Sequence, residues 1–217
     1  MKIGILGTGM VGNALGGKLA SLGHEVKMGS REANNPKAKE WAQKAGAKAS
    51  TGTFADAAQF GEVLLNCTKG EVTLAALELA GAANMKGKVL IDVSNGLDFS
   101  KGFPPSLIVC NHDSIAEQIQ RKFPDVHVVK ALNTLGNDLM IDPMKLAGGD
   151  HDLFISGNDA GAKAKVCGLL GGFGWKKEHI IDMGDITAAR GQEAWMLMWG
   201  RLYGALKTSF NVKIVRQ

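Results

Sequence analysis

Gly7-Thr8-Gly9-Met10-Val11-Gly12 is a GxGxxG string, a spacing of glycines that lets a peptide backbone approach a phosphate. Its setting is what gives it weight. It follows an apolar run at Lys2–Leu6, opens a helical pattern, and leads to a second apolar run thirteen residues past Gly12. Gly7 permits the tight turn out of the strand, Gly9 keeps side-chain atoms away from a pyrophosphate, and Gly12 lets helix and strand pack closely. The helix start then supplies unpaired N–H groups and partial positive charge. The residues from Gly7 to Gly12 are therefore expected to bind a dinucleotide; the plainer alternative is a turn that only packs tightly.

The second run ends in Gly29-Ser30-Arg31, where turns of this kind usually carry an acid. A carboxylate there would bind both ribose hydroxyls and repel a 2′-phosphate. Ser30 and Arg31 do the reverse, because a hydroxyl and a guanidinium both donate to a phosphate dianion. One charge-assisted hydrogen bond is worth roughly 1.5–3 kcal/mol, or about ten- to a hundredfold in affinity. The expected cofactor is NADP(H), with Glu32 as the one neighbouring group of opposite sign.

In such folds the ligand lies across the carboxyl ends of the strands. Thr68, Lys69 and Gly70 follow one apolar run, Ser94, Asn95 and Gly96 the next, and Asn133, Thr134 and Leu135 a third. These small polar residues suit ribose, amide and ring contacts. No acid–base dyad stands among them. His24 lies at the opposite end of its strand, and His112, His127, His151 and His179 follow no metal or catalytic spacing. Hydride transfer to a carbonyl usually needs a proton donor, whereas a flavin-like ring takes its proton from solvent. No catalytic side chain and no metal is expected.

Short apolar runs alternating with helical patterns must hold these residues in place. Strands are expected at 2–6, 25–28, 47–50, 63–67, 88–93, 126–132, 152–156 and 179–183. Helices are expected at 10–22, 36–45, 53–58, 71–80, within 106–121, and at 159–170. Pro36 suits a first helical turn, and Ser114 with Glu117 has capping-box spacing. This is an α/β pattern of Rossmann type, doubly wound, with a mainly parallel sheet. A C-terminal helical tail is expected over 185–211, and its middle, AWMLMWGRLYGAL, is apolar on nearly every side. That leaves two readings open: a homodimer through this helix, or packing on the chain's own sheet. With no repeat or linker, residues 1–217 are read as one NADP-binding domain.

Composition narrows the class. The 217 residues include 29 glycines and 5 prolines, with 45% hydrophobic and 21% charged residues, as in an ordinary globular protein. The net charge of +4, with no Lys/Arg block, argues against nucleic acid but favours small anions. Cys67, Cys110 and Cys167 lie far apart with no CxxC or Cys/His spacing, each beside apolar residues, so core packing is expected rather than a metal or a disulfide. Gly7 to Gly9 cut off the first apolar run before a signal segment forms, and no run approaches the roughly 18 residues of a membrane span. A cytoplasmic location without membrane contact is expected.

Four segments resemble one family. MKIGILGTGMVGNALGGKLASLGHEVKMGSR, VLIDVSNGLDF (89–99) and HVVKALNTL (127–135) are similar to the NADP oxidoreductases that use the deazaflavin coenzyme F-420. These segments and IDMGDITAARGQEAW (181–195) resemble still more the cytosolic reductase domain of the six-transmembrane metalloreductases. The resemblance implies Thr8, Gly9, Met10 and Val11 on the pyrophosphate and Ser30 and Arg31 on the 2′-phosphate. It implies Thr68, Ser94 and Asn95 near ribose and nicotinamide, with Asn133 and Thr134 flanking the hydride acceptor. The deazaflavin enzymes carry a histidine in the segment of Asn133 and a proline close after it, where this chain reads Leu135-Gly136. The acceptor therefore stays open between coenzyme F-420 and a flavin. Arg190 is a candidate for meeting an anionic tail of the acceptor, or else forms a salt bridge. The expected activity is an NADPH-dependent oxidoreductase acting on a small-molecule hydride acceptor. The alternatives are an NADPH-binding sensor without turnover and a short β-hydroxyacid or pyrroline-carboxylate type dehydrogenase.

Overall fold

Along the central strands of a single sheet, apolar residues alternate between two faces, so the sheet is buried on both sides. A computed structural model describes residues 1–216. The first half runs β1 (Lys2–Leu6), α1 (Met10–Ser21), β2 (Glu25–Ser30), α2 (Pro36–Ala45), β3 (Ala49–Thr53), α3 (Phe54–Phe60), β4 (Val63–Asn66), α4 (Gly70–Ala80), α5 (Ala82–Met85) and β5 (Val89–Asp92). A small hairpin of β6 (Leu97–Asp98) and β7 (Ser106–Leu107) follows, then α6 (Ile115–Lys122), β8 (His127–Ala131), α7 (Asn137–Ile141), β9 (Leu153–Gly157), α8 (Ala160–Phe173), β10 (Ile180–Asp182) and α9 (Ala189–Leu206).

The eight-stranded sheet has the order β10-β9-β8-β5-β4-β1-β2-β3. From β3 to β8 all neighbours are parallel, so their carboxyl ends share one edge. β9 runs antiparallel to β8, and β10 parallel to β9. The link between β8 and β9 holds only the five-residue α7 and two 3-10 turns. No crossover helix returns the chain, and a parallel partner needs one. Ile3, Ile5, Val63, Leu65, Ile91 and Val129 face α1, α2 and α8; Leu6, Leu64, Leu90 and Val128 face α3, α4 and α6.

The C-terminal helix is shorter than the expected 185–211. Asp185 takes the Thr187 N–H at 2.9 Å and closes a 3-10 turn over Ile186–Ala188, so the α-helix begins only at Ala189. It stops at Leu206 because Lys207 adopts a left-handed conformation, φ 51°. The chain beyond runs back to Asp152, just before β9: Asp152 N donates to Val212 O at 2.9 Å, and Asn211 Nδ2 to Asp152 O at 2.9 Å. Among the described residues no helix is long and apolar enough to cross a membrane.

Candidate active site

The glycine-rich turn has the geometry its spacing implies. Gly7 has φ +122°, a conformation that side chains oppose, and a Cβ there would lie 2.7 Å from Cys67 O. A Cβ on Gly12 would lie 2.3 Å from Gly7 O, so the helix is pressed onto the turn. Gly9 differs: a Cβ there would meet nothing within 4 Å. The protein itself does not require glycine at position 9; only something outside it would. Gly9 is the N-cap of α1 and no side chain caps the helix. The N–H groups of Met10, Val11 and Gly12 are thus left without helical acceptors.

The second strand runs further than expected, to Ser30, which is buried. Its Oγ donates to Glu32 O at 2.5 Å, so its one hydroxyl proton is held within the turn. Arg31 is exposed, and among the described residues its guanidinium has no hydrogen-bond or ion-pair partner. Arg31 therefore offers free donors at this strand end and Ser30 does not.

The next two strand ends are joined by a buried polar row. The register pairs Asn66 of β4 with Asp92 of β5, and Asp92 with Lys130 of β8. All three side chains are fully buried and point to the same face. Asn66 Nδ2 donates to Asp92 Oδ1 at 2.7 Å, and Lys130 Nζ to Asp92 Oδ2 at 2.8 Å. Lys130 also meets Glu193 Oε1 of α9 at 2.8 Å and Ser94 O at 2.5 Å. Burial pulls the Lys130 ammonium down, but the facing carboxylates of Asp92 and Glu193 outweigh it and hold its pKa above the ordinary lysine value. Ser94 turns inward, giving its hydroxyl to Asp92 Oδ1 at 2.8 Å. Thr68 Oγ1 donates to Asn66 Oδ1 at 2.7 Å, while Lys69 is exposed and lies 3.8 Å from Glu71.

The third strand end is strained. Leu132, directly after β8, has φ 66°, which costs a residue with a Cβ about 1–2 kcal/mol. Asn133 and Asn95 exchange amide bonds: Asn133 Nδ2 reaches Asn95 Oδ1 at 2.9 Å, and Asn95 Nδ2 reaches Asn133 O at 2.9 Å. Asn133 Nδ2 also donates to Gln192 O at 2.9 Å. Asn133 Oδ1 and Thr134 Oγ1 are buried with no partner among the described residues. Arg190 takes the salt-bridge alternative. Its Nε and Nη2 hold the Glu117 carboxylate, Nη2 at 2.6 Å, so the guanidinium fork is engaged within the protein. Ser114 caps α6 by accepting from Glu117 N and donates its hydroxyl to Glu117 Oε2.

Beside this corner opens a cleft of about 300 Å³, lined among others by Met10, Gly136 and Asp138. Trp199 and Tyr203 of α9 and Phe210 form its aromatic side. Trp199 stacks on Tyr203 at 5.1 Å and 11°, and on Phe210 at 5.8 Å and 29°. Its titratable lining is the Tyr203 phenol and Asp138, which accepts from Ser209 Oγ at 3.1 Å. Asp92, Lys130, Glu193 and the three rings escaped the sequence reading. The lysine within HVVKA, a run otherwise fit for burial on both faces, was the available signal: such a charge must have a buried partner.

Known proteins resemble this chain in sequence and fold. A family model described as NADP oxidoreductase, coenzyme F-420-dependent, matches residues 2–96. A crystal structure from Arthrobacter sp. FB24, provisionally described as an F-420-dependent NADP-reductase, is 49% identical with a TM-score of 0.94 and covers 100% of both chains. The metalloreductase STEAP3 of Rattus norvegicus is 30% identical over an alignment of 201 residues that covers 89% of this chain and 36% of that protein. The chain thus spans little more than a third of that relative. A reductive aminase from Aspergillus terreus, solved with NADPH, shares the fold at 19% identity and a TM-score of 0.67, over 94% of this chain and 63% of that one.

Proposed function

This chain belongs to the coenzyme F-420-dependent NADP oxidoreductase family, and from that premise we propose that it passes hydride between NADP(H) and a deazaflavin or flavin. The observation that carries the choice of acceptor is the aromatic cleft beside the glycine-rich turn. Stacked indole and phenol rings favour a planar, fused acceptor. When bound, NADPH supplies the hydride; the acceptor ring takes it together with one proton from solvent. No group in the cleft has to be a dedicated acid.

The residues of the cofactor side fit NADP(H). The Gly9 cradle, where a Cβ would meet no protein atom, leaves room for a pyrophosphate against the N–H groups of Met10, Val11 and Gly12. Gly7 shapes that turn and Thr8 borders it. Arg31 is assigned the 2′-phosphate, with Ser30 supporting the turn from within. Thr68, Lys69 and Asn95 border ribose and nicotinamide, and Ser94 braces them through Asp92. The unpaired Asn133 Oδ1 and Thr134 Oγ1 suit a carboxamide or the polar edge of the acceptor.

Arg31→Ala is expected to raise the KM for NADPH about ten- to a hundredfold and to leave that for NADH nearly unchanged. Steady-state kinetics with both nucleotides check this. An unchanged preference in the variant would remove Arg31 from the 2′-phosphate site.

A further inference from the structure

Within α9 itself, the polar bonds lie at one end. Polar bonds to the sheet and to α6 come from its first two turns: Arg190 to Glu117, Gln192 Nε2 to Phe154 O at 3.1 Å, Glu193 to Lys130, and Trp195 Nε1 to Thr134 O at 3.1 Å. Beyond Trp195 the helix changes character. Leu197, Met198, Tyr203 and Leu206 are exposed, and the indole N–H of Trp199 has no partner among the described residues. Gly200 leans on the loop between β6 and β7 near Pro104. The rings of the acceptor cleft sit on this second half. The first half fixes their helix to the sheet, while Ser209, bonded to Asp138, and Asn211, bonded to Asp152 O, hold the chain that follows it.

Within the first half, Glu193 joins the start of α6 to the buried polar row. One carboxylate oxygen accepts from Ile115 N at 2.9 Å and the other from Ala116 N at 3.1 Å, at the start of α6. The oxygen on Ala116 also meets Lys130 Nζ. Lys130 has three protons and three acceptors, in Asp92, Glu193 and Ser94 O, so none is left for a substrate. Two carboxylates face one ammonium, and the N-terminus of α6 supplies the remaining positive potential. The set is closed and lies outside the cleft lining.

We propose that Lys130 and Glu193 are a positioning pair: their bond fixes α9 to the ends of β5 and β8, and so sets the Trp199–Tyr203 wall against the bound nicotinamide. This rests on the acceptor site assigned above. Neither residue touches the reacting atoms; each acts through α9, and Lys130 also through the Ser94 carbonyl.

The test is Glu193→Gln in the full chain, with Glu193→Asp as a second variant that keeps the charge but shortens its reach. NADPH affinity, read by nicotinamide fluorescence, is expected to stay within about twofold, while kcat falls and the acceptor KM rises, each about tenfold in Glu193→Gln. A second readout needs no turnover. Acrylamide quenching of Trp199, taken as the difference from a matched Trp199→Phe protein, is expected to increase in either variant. Unchanged kinetics and quenching would overturn the pairing, as would a loss of NADPH affinity as large as the loss of acceptor turnover. If the wild type reduces no acceptor, the acceptor assignment fails, and the quenching still decides whether the pair positions α9. If Glu193→Gln does not fold, Glu193→Asp decides by the same criteria.

Discussion

Replacing Lys130 by methionine is expected to lower the unfolding free energy by about 3–5 kcal/mol. Methionine is unbranched and fills much of the same space, so the loss would be mainly electrostatic. Asp92 and Glu193, both buried, would face each other without the ammonium between them. Urea unfolding of the two proteins measures the difference. A deficit under 1 kcal/mol at neutral pH would mean that the polar row contributes little to holding the strand ends.

The second large effect separates binding from folding. Gly9→Ala is expected to change stability by no more than about 1 kcal/mol, because alanine is a slightly poorer N-cap but leaves less chain entropy to lose. The added methyl meets no protein atom within 4 Å. It does occupy the space assigned to the pyrophosphate. Displacing two charge-assisted contacts of roughly 1.5 kcal/mol each weakens NADPH binding about a hundredfold or more. Gly12→Ala is the contrasting control, since its methyl would lie 2.3 Å from Gly7 O. It is expected to destabilise the fold by about 1–3 kcal/mol by overpacking. Thermal unfolding and nicotinamide fluorescence titration, run on both variants, measure the two effects. Equal NADPH affinity in Gly9→Ala and wild type would place the pyrophosphate elsewhere.

Local rules carried most of the framework. Pro36 marked the start of α2, and Gly46 follows its last residue. Alternating apolar residues placed β1, β4, β5 and β8 on both cores. What local pattern misses is set by partners distant in the chain. Ser30 looks like a free donor in sequence, yet the turn gives its proton to the Glu32 carbonyl. Arg190 looks like an anion site until α6 brings Glu117 against it. Glu193 meets Lys130 across 63 positions, a contact decided by how α9 crosses the sheet edge. The end of α9 at Leu206 depends on the chain turning back toward Asp152, which helical periodicity does not reveal.

We propose hydride transfer from NADPH to a deazaflavin or flavin held in the aromatic cleft. Anaerobic rapid mixing of the NADPH-loaded protein with coenzyme F-420, riboflavin, FMN and FAD in turn tests it directly. With at least one of these acceptors, nicotinamide oxidation and acceptor reduction are expected to proceed at the same rate and in equal amounts. Tight NADPH binding with no oxidation by any of the four would contradict it.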